Sequence, residues 1–327
     1  MDTAAPPRTG PPVLLINPRS FRASRRGLAG RAARRARRSG IEVIEASAPA
    51  DFRAAFDRLH ARRQDEIWLL SGDGTIHWIA EYLAGLADGW APALLLLGGG
   101  RANVVPRECG GYPAMRALRA ALATHDAGRR LPRRQLCTLQ LEQPGLPVRQ
   151  GFFLAGGMIH EGVRVCSEHR SRGSGWLHRS LAADFYALLK LLVQVVTGRS
   201  PLPPYAHMSL RMQDGRALAA APIRILLATT LGMRDALYNP FAATGEGPVR
   251  ATAIAASAPH FWRHLPGILR GRFAAELTPA AGVLSGRCQW LEVTGLADFS
   301  LDGEHFRTDP ARPVVIGPGF ELTVLQP

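Results

Sequence analysis

Short apolar runs alternate with amphipathic stretches in the first third of the chain. Each run is four or five residues long, lies close to Gly, Pro or Asn, and is apolar at consecutive positions. That pattern is typical of parallel strands covered on both faces, and the stretches between them have helical spacing. Alternating strands and helices predict an α/β layer. The predicted strands are residues 13–16, 41–44, 67–70 and 93–97, and the predicted helices are about 24–39, 51–63 and 75–86.

Past residue 130 the pattern changes and strands dominate. The change falls on a basic, Pro-containing stretch at 128–132, which we interpret as a linker, and Asp214-Gly215 favours an antiparallel hairpin. We therefore predict an α/β domain with a parallel sheet at 11–130 and a mostly antiparallel β-sandwich at 131–327. Its predicted strands are about 137–141, 151–154, 207–212, 223–228, 249–255, 289–293 and 321–325, with helices at about 177–197 and 259–270.

The composition is that of an ordinary globular protein. Hydrophobic residues make up 46% of 327 positions, and the longest apolar helical stretch, 185–196, contains Lys190 and Gln194. We therefore expect no membrane span, and residues 1–12 lack the apolar core of a signal peptide, so a cytoplasmic protein is expected. Four scattered cysteines without a Cys-x-x-Cys pair predict neither a structural zinc site nor a disulfide framework.

The charge is strongly positive. The formal net charge is +14, and seven arginines fall between residues 25 and 38. Such a helix attracts phosphate in nucleic acid, nucleotide or anionic lipid headgroups, and one hypothesis is that it rests on an anionic membrane. The alternative is a solvated helix face in an arginine-rich chain. No stacking motif or helix-turn-helix signature accompanies the charge, so nucleic acid is not an expected partner.

The single lysine excludes two common phosphate-transfer sites. A P-loop and a protein kinase each need a lysine in a defined place, whereas Lys190 lies in an apolar run with no glycine near it. His160-Glu161 lacks the second histidine of a zinc protease, and no Gly-x-Ser-x-Gly elbow of a hydrolase is present. The glycine run at 98–103 lacks the third glycine of a dinucleotide fingerprint.

One segment carries chemistry of its own. Ser-Gly-Asp-Gly-Thr at 71–75 follows a predicted strand and opens a predicted helix. Glycine lets the backbone approach an anion, and a helix start supplies N–H groups, although Gly-Asp-Gly alone is also a common turn. Asp73 would repel phosphate unless a cation such as Mg²⁺ lies between them. Asn-Pro-Arg-Ser at 17–20 and the run at 98–103 also follow strands, so all three should meet at one sheet edge.

These segments, with Leu-Asp-Gly-Glu at 301–304, resemble the diacylglycerol kinase catalytic-domain superfamily, which includes sphingosine and ceramide kinases and bacterial lipid kinases. The matching pieces are residues 13–20, 71–75, 100–110 and 301–304, in an order that spans nearly the whole chain. The segment at 71–75 is the most specific of them. The resemblance implies that ATP and Mg²⁺ are used to phosphorylate a lipid hydroxyl, of diacylglycerol or sphingoid type. It also implies a cleft between a nucleotide-binding α/β domain and a β domain.

The resemblance also implies roles for individual residues. Asp73, Asp302 and Glu304 are the candidate catalytic carboxylates, Asp73 would hold the metal through Mg-ATP, and which of the three is the base stays open. In such kinases the Gly-Asp-Gly-Thr loop binds the ATP phosphates and the Asn-Pro element lines the same site. The implied nucleotide-binding residues are Asn17, Pro18, Arg19, Ser20, Ser71, Gly72, Asp73, Gly74, Thr75, Gly100, Arg101 and Asn103.

Several positions depart from the family pattern. Arg101 replaces a threonine, where it could pair with phosphate or crowd the site, and Phe21 replaces a common glycine. His77 lies where an acidic residue is usual; it could touch a phosphate or only meet its helix neighbours. Glu246-Gly247 replaces an Asp-Gly that helps form a metal site in bacterial members. The stretch 185–196 could cover a lipid tail or form core.

Two alternatives to a lipid kinase therefore stay open. One is a catalytically weakened protein of the same fold that binds nucleotide or lipid, which the arginine at position 101 would suit. The other is a kinase of a soluble hydroxylated metabolite, as in the NAD kinases, which resemble this family in the Gly-Asp-Gly loop. The β-rich second half and the Asn-Pro element favour a lipid kinase.

Overall fold

The predicted parallel strands form the sheet of the first unit of the protein. This computed structural model describes residues 10–25, 27–164, 205–233 and 238–327. The four strands are parallel in the order β2–β1–β3–β4, and every residue of β1, β3 and β4 is buried, which confirms the sequence prediction. Their bounds are β1 (Val13–Ile16), β2 (Glu42–Glu45), β3 (Glu66–Ser71) and β4 (Ala93–Gly98).

Five helices accompany this sheet, and the sequence predicted three of them. The helix that follows β3 begins at Asp73, two residues earlier than predicted, because Gly72 has an extended conformation and acts as its N-cap. The helix after β1 begins later than predicted, behind the left-handed Gly27. The bounds are α1 (Leu28–Arg38), α2 (Pro49–Ala61), α3 (Asp73–Ala84), α4 (Val104–Glu108) and α5 (Ala114–Asp126), of which α4 and α5 were not predicted.

A shared core fixes α1 and α5 against the sheet. Small residues on the inner face of α1, Ala32, Ala33 and Ala36, are at most 2% exposed and belong to one cluster with strand residues such as Leu14 and Leu70. Alanine brings the helix close to the sheet without a long side chain between them. The opposite, outer face of α1 is therefore displayed on a firmly packed helix.

The second unit is built from antiparallel pairs. The described residues divide into a first unit, up to Thr138 with 231–237 and Phe320–Pro327, and a second unit, Leu139–Thr230 with Tyr238–Gly319. The strands that follow the parallel sheet are β5 (Arg133–Glu142), β6 (Arg149–Gly151), β7 (Phe153–Gly157), β8 (His207–Met212), β9 (Ala217–Thr229), β10 (Val249–Ala255), β11 (Val283–Cys288), β12 (Leu291–Thr294), β13 (Asp298–Leu301), β14 (Glu304–Arg307) and β15 (Val314–Leu325). The helix α6 (Phe261–Ile268) lies between β10 and β11, and residues 158–164, after β7, are also helical.

One long strand links the two groups of strands in this unit. The first half of β9 pairs with β8, and its second half pairs with β7 and β10, all antiparallel. A single buried cluster collects apolar residues from both groups, including Leu210, Leu226 and Phe299. The predicted hairpin at Asp214-Gly215 joins β8 to β9 and is confirmed.

The last strand, β15, pairs with one strand of each unit. Residues 314–316 pair with β12 of the second unit, whereas Val324 pairs in parallel with Leu94 of β4 in the first unit. The predicted helix at 177–197, with its apolar stretch 185–196, lies outside the described residues. Across the described ranges no helix is both long enough and apolar enough to cross a bilayer.

Candidate functional site

The loops that follow β1, β3 and β4 touch one another. The Asn17 amide nitrogen, Nδ2, donates to the Thr75 hydroxyl oxygen at 3.2 Å, and the Gly72 N–H donates to the Ser20 hydroxyl oxygen at 3.2 Å. The Gly99 carbonyl accepts from two further N–H groups of the first loop. The structure therefore brings together the three segments that the sequence placed at one sheet edge. We call them, residues 17–22, 71–75 and 98–103, the three-loop site.

The Asn-Pro turn is held from two sides. The Asn17 backbone N–H donates to the Leu70 carbonyl at 2.9 Å, and its side-chain oxygen accepts from the Arg19 N–H at 3.1 Å. Pro18 lies between these two residues in the turn. Because the side chain of Asn17 bonds both its own turn and Thr75, it fixes the position of the first loop relative to the second.

Glycines permit the close approach of the second and third loops. A Cβ atom built on Gly100 would lie 2.5 Å from the Gly72 Cα, and one built on Gly98 would lie 2.9 Å from a Tyr112 ring carbon. At Gly100 the contact is with backbone and excludes a side chain unless the backbone moves, whereas at Gly98 it is with the side chains of Tyr112 and Asn103. Glycine at 100 is therefore required by backbone packing.

Asp73 is the residue that joins the second loop to the third. Its Oδ2 accepts from the Asn103 N–H at 2.7 Å, and its Oδ1 accepts from the Val105 N–H at 3.2 Å. These N–H groups lie at the start of α4, where a helix has no acceptors of its own. The carboxylate thereby stabilises the start of one helix from the first turn of another.

Asn103 closes the third loop on itself. It is 0% exposed and has a left-handed backbone with φ 53°. Its side-chain oxygen accepts from the Gly100 N–H at 2.7 Å, and its side-chain nitrogen donates to the Gly100 carbonyl at 3.0 Å. Asparagine suits both demands, because it tolerates the left-handed region and offers a donor and an acceptor on one side chain.

The first turn of α3 is the part of the site best suited to an anion. The N-cap, Gly72, has no side chain to cap the helix, and the backbone N–H of Thr75 turns back to the Gly72 carbonyl at 3.1 Å. The leading N–H groups of a helix lack intrahelical acceptors and carry the positive end of its dipole. A phosphate could bind there, provided that a cation offsets the negative charge of Asp73.

Two departures from the family pattern contact each other. The Arg101 guanidinium carbon lies 4.0 Å from the centroid of the Phe21 ring, and that of Arg25 lies 3.9 Å from the same centroid. Pairing with phosphate and crowding of the site were the two alternatives for Arg101. The structure places its cation against the side chain that replaces the usual glycine, so the two substitutions form one cation–π contact, and the two alternatives stay open.

His77 lies on the buried side of α3. It is 4% exposed, and its Nε2 is 3.8 Å from the Glu81 Oε2, one helical turn further on. Of its two interpretations, contact with a phosphate or with helix neighbours, this placement favours the second.

The two late carboxylates have different surroundings in the second unit. Asp302 and Gly303, both with positive φ, form the two-residue turn between β13 and β14. The Asp302 carboxylate accepts from the Phe152 N–H at 3.0 Å and the Phe153 N–H at 2.9 Å, so it ties the turn to the junction of β6 and β7. Glu304 is exposed. Among the described residues none forms a hydrogen bond or ion pair with its carboxylate.

A buried histidine lies beside this hairpin and was missed by the sequence analysis. In the sequence, His160 was considered only as part of an incomplete zinc-protease motif. In the structure its Nδ1 lies 2.9 Å from the hydroxyl oxygen of Ser300, which precedes Asp302 by two residues. Burial lowers the pKa of His160 below its usual value, so the ring is neutral near pH 7. A contact between residues more than a hundred positions apart in the sequence leaves no local signal that could predict it.

Glu108 is a second residue whose surroundings the sequence did not reveal. Its side chain is 5% exposed; it accepts from an Arg134 guanidinium nitrogen at 3.0 Å and from the Met233 N–H at 3.0 Å. A buried carboxylate with two such partners holds the segment at 231–233 in place within the first unit.

No metal centre of several protein ligands is visible in the parts of the chain that the structure describes. They contain no group of three or more His, Cys, Asp and Glu side chains arranged to hold an ion. Glu246, which replaces the aspartate of a possible metal site, is exposed. A cation at the three-loop site would therefore depend on Asp73 and on ligands brought by the nucleotide.

A double-mutant cycle tests the pairing of Phe21 with Arg101. We expect Phe21→Leu and Arg101→Gln to show a coupling of about 0.5–1 kcal/mol in the free energy of unfolding, because each change removes the same contact. The measurement is urea unfolding of the two single variants and the double variant. Arg107 lies on the Tyr112 ring instead, so a Phe21→Leu/Arg107→Gln cycle is the matched control and should be additive. Equal coupling in both cycles would contradict the pairing.

Comparisons with known proteins give a family match for part of the chain and similar folds for nearly all of it. Residues 11–129 match the family model described as the diacylglycerol kinase catalytic domain. No curated protein matches the chain. Three similar solved structures come from Bacillus anthracis strain Sterne, two described as candidate diacylglycerol kinases and one as a diacylglycerol kinase.

The likeness to these structures extends over both units. Their TM-scores are 0.63, 0.60 and 0.62 at identities of 12%, 10% and 12%, and each match covers 97% of both chains. At such identities the likeness establishes a common fold, in which a parallel α/β part is followed by mostly antiparallel strands. The family match covers the segment that contains the whole three-loop site, so over residues 11–129 the chain is similar to the diacylglycerol kinase catalytic domain.

Proposed function

We propose that the protein transfers the terminal phosphoryl group of ATP to the hydroxyl group of a lipid, either a diacylglycerol or a sphingoid-type acceptor. The observation that carries this proposal is the three-loop site, where a helix start and a carboxylate lie side by side within the segment that matches a family of lipid kinases. Phosphoryl transfer requires mainly positioning and charge neutralisation, and this site offers groups for both.

The first turn of α3 would bind the phosphates. Its leading N–H groups and the Thr75 hydroxyl, which is oriented by Asn17, are donors suited to phosphate oxygens. Ser20 and Asn103 would act indirectly by holding the loops in place. Arg19, Ser71 and Gly74 belong to the same segments and remain proposed nucleotide contacts.

Asp73 fits a single carboxylate ligand of Mg²⁺. Its two oxygens accept backbone N–H groups, which hold the carboxylate in place at the first turn of α3. Mg²⁺ prefers one or two carboxylates together with phosphate oxygens and water, so a site with few protein ligands is suitable. When bound, the ion would neutralise phosphate charge, while Asp73 keeps the third loop in register.

Glu304 is our candidate for the general base. A base must bring an available carboxylate oxygen to the hydroxyl proton. Asp302 already accepts two backbone N–H groups and shapes the turn, which suits a positioning role. Glu304 is exposed and extends from the same turn. Among Asp73, Asp302 and Glu304, which the sequence left open as the base, we therefore propose Glu304 as the base and Asp302 as the residue that shapes its turn.

A catalytically weakened protein is the main competing function. It is favoured by one observation, that the third loop has an arginine in contact with Phe21 where the family has a threonine. Such a protein would bind Mg-ATP without transferring phosphate to any acceptor. A kinase of a soluble alcohol would instead transfer phosphate in the absence of lipid.

The transfer assay with an Asp73 variant tests the proposal. We expect the wild type to move labelled phosphate from ATP to diacylglycerol or a sphingoid base in detergent micelles, but not to NAD. Asp73→Asn should lower the rate by about 10²-fold or more, because the carboxylate charge and one of two acceptors are lost. Asp126→Asn makes the same chemical change at an exposed position of α5 and should leave the rate unchanged. Binding of ATP without turnover on any acceptor would contradict the proposal.

A second variant pair separates the base from the residue that shapes its turn. Glu304→Gln should lower the rate at saturating ATP by about 10²- to 10⁴-fold with little change in KM for ATP or in stability. Asp302→Asn should mainly lower stability, because one of two backbone N–H groups loses its acceptor. The measurements are turnover and urea unfolding of both variants. Full turnover of Glu304→Gln would eliminate it as the base.

A further inference from the structure

The outer face of α1 is a continuous row of arginines. Four of them are spaced by three, four and seven residues, which places them on one side of two helical turns. All four are exposed, and together with Arg119 and Met115 of α5 they line an open groove of ≈ 330 Å³. We call this surface the arginine groove; its arginines are Arg31, Arg34, Arg35, Arg38 and Arg119.

No carboxylate on α1 itself balances this charge; Asp126 of α5 lies at the end of the helix, where its Oδ2 accepts from the Ser39 hydroxyl at 3.2 Å. Residues 13–41 contain no Asp or Glu, and the seven arginines at 25–38 equal half of the net charge of +14. In the part of the chain that the structure describes, no ion pair involves any of the five groove arginines. Like charges one helical turn apart destabilise a helix. The helix dipole stabilises only the arginines in the last turn of α1. A multiply charged anion laid along the row would relieve that repulsion.

The arginines of the groove lie on helices that are packed against the core. The opposite face of α1 is anchored by three buried alanines, and its core is shared with α5. The spacing of the arginines is therefore set by packed helices rather than by a mobile tail. Arginine presents a planar fork of donors that matches phosphate oxygens, so phosphate is the natural ligand chemistry.

We propose that the arginine groove binds the headgroups of anionic phospholipids and holds the protein on a negatively charged membrane surface. This inference rests on the proposed function, since a kinase that acts on a lipid must reach a bilayer. The openness of the groove and the exposure of all five arginines suit a charged plane better than a small enclosed ligand.

Vesicle binding of two double variants tests the groove. We compare Arg35→Gln/Arg119→Gln with Arg37→Gln/Arg116→Gln, which removes the same charge from the same two helices at exposed residues that do not line the groove. Binding is measured without ATP by co-sedimentation with phosphatidylglycerol–phosphatidylcholine vesicles. Each arginine near such a surface changes binding about fivefold, so the groove pair should weaken it about 30-fold. Screening at physiological salt should limit the control pair to about threefold.

Three results would overturn the inference. They are equal losses for the two pairs, equal binding of the wild type to vesicles of phosphatidylcholine alone, and vesicle binding unaffected by the groove pair while binding to a short DNA duplex is lost. Failure of the proposed function is measured separately, as absence of phosphate transfer to a lipid dispersed in detergent, where no bilayer is needed. A groove pair with normal turnover in detergent and weakened vesicle binding is the expected combination.

Discussion

The carboxylate of Asp73 is the constraint on which the site depends. It lies in the first turn of α3 and accepts the N–H groups of Asn103 and Val105, which open α4. Two helix starts are therefore joined through one side chain. A hydrogen bond to an ionised acceptor is stronger than a neutral one, and removal of the acceptor would leave partly buried N–H groups without a partner. The third loop is thereby held against the second before any ligand binds.

The contact between the second and third loops explains why glycine occurs there. Gly72 and Gly100 approach so closely that a Cβ atom on Gly100 would lie 2.5 Å from the Gly72 Cα, which leaves the third loop no space for a side chain at the point of contact. The close contact and the carboxylate bridge support each other, because the first lets the loops meet and the second keeps them together. What is left for a ligand is the start of α3, with its N–H groups and dipole. Under the proposed function the charge of Asp73 would require a cation beside any phosphate bound there, so the same residue would serve structure and chemistry.

Much of the first unit followed from local sequence signals. Consecutive buried positions identified the parallel strands, and the rule that ligands bind beyond strand carboxyl ends led to the three loops. Helix α5 was missed although its buried residues, such as Ala114, Ala117 and Leu118, have helical spacing. The pairing of Val324 with Leu94 could not be foreseen, because nothing local marks the last strand as a partner of a distant one.

The candidate site was predictable in its members but not in their contacts. Sequence placed Phe21 and Arg101 as two unrelated departures, and only the fold makes them neighbours. It also grouped Asp302 with Glu304, although the first is engaged with the backbone of Phe152 and Phe153 and the second is exposed. Side-chain partners separated by eighty or more residues are set by packing, which a single sequence does not encode locally.

Amide hydrogen exchange at the start of α4 tests the role of Asp73 most directly. In the wild type the N–H groups of Asn103 and Val105 should be protected, because both donate to the carboxylate. In Asp73→Ala they should exchange about ten- to a hundredfold faster, as expected for loss of a charged acceptor, while the N–H of Ala80 within α3 keeps its protection. Unchanged exchange at both positions in a folded Asp73→Ala protein would contradict the account.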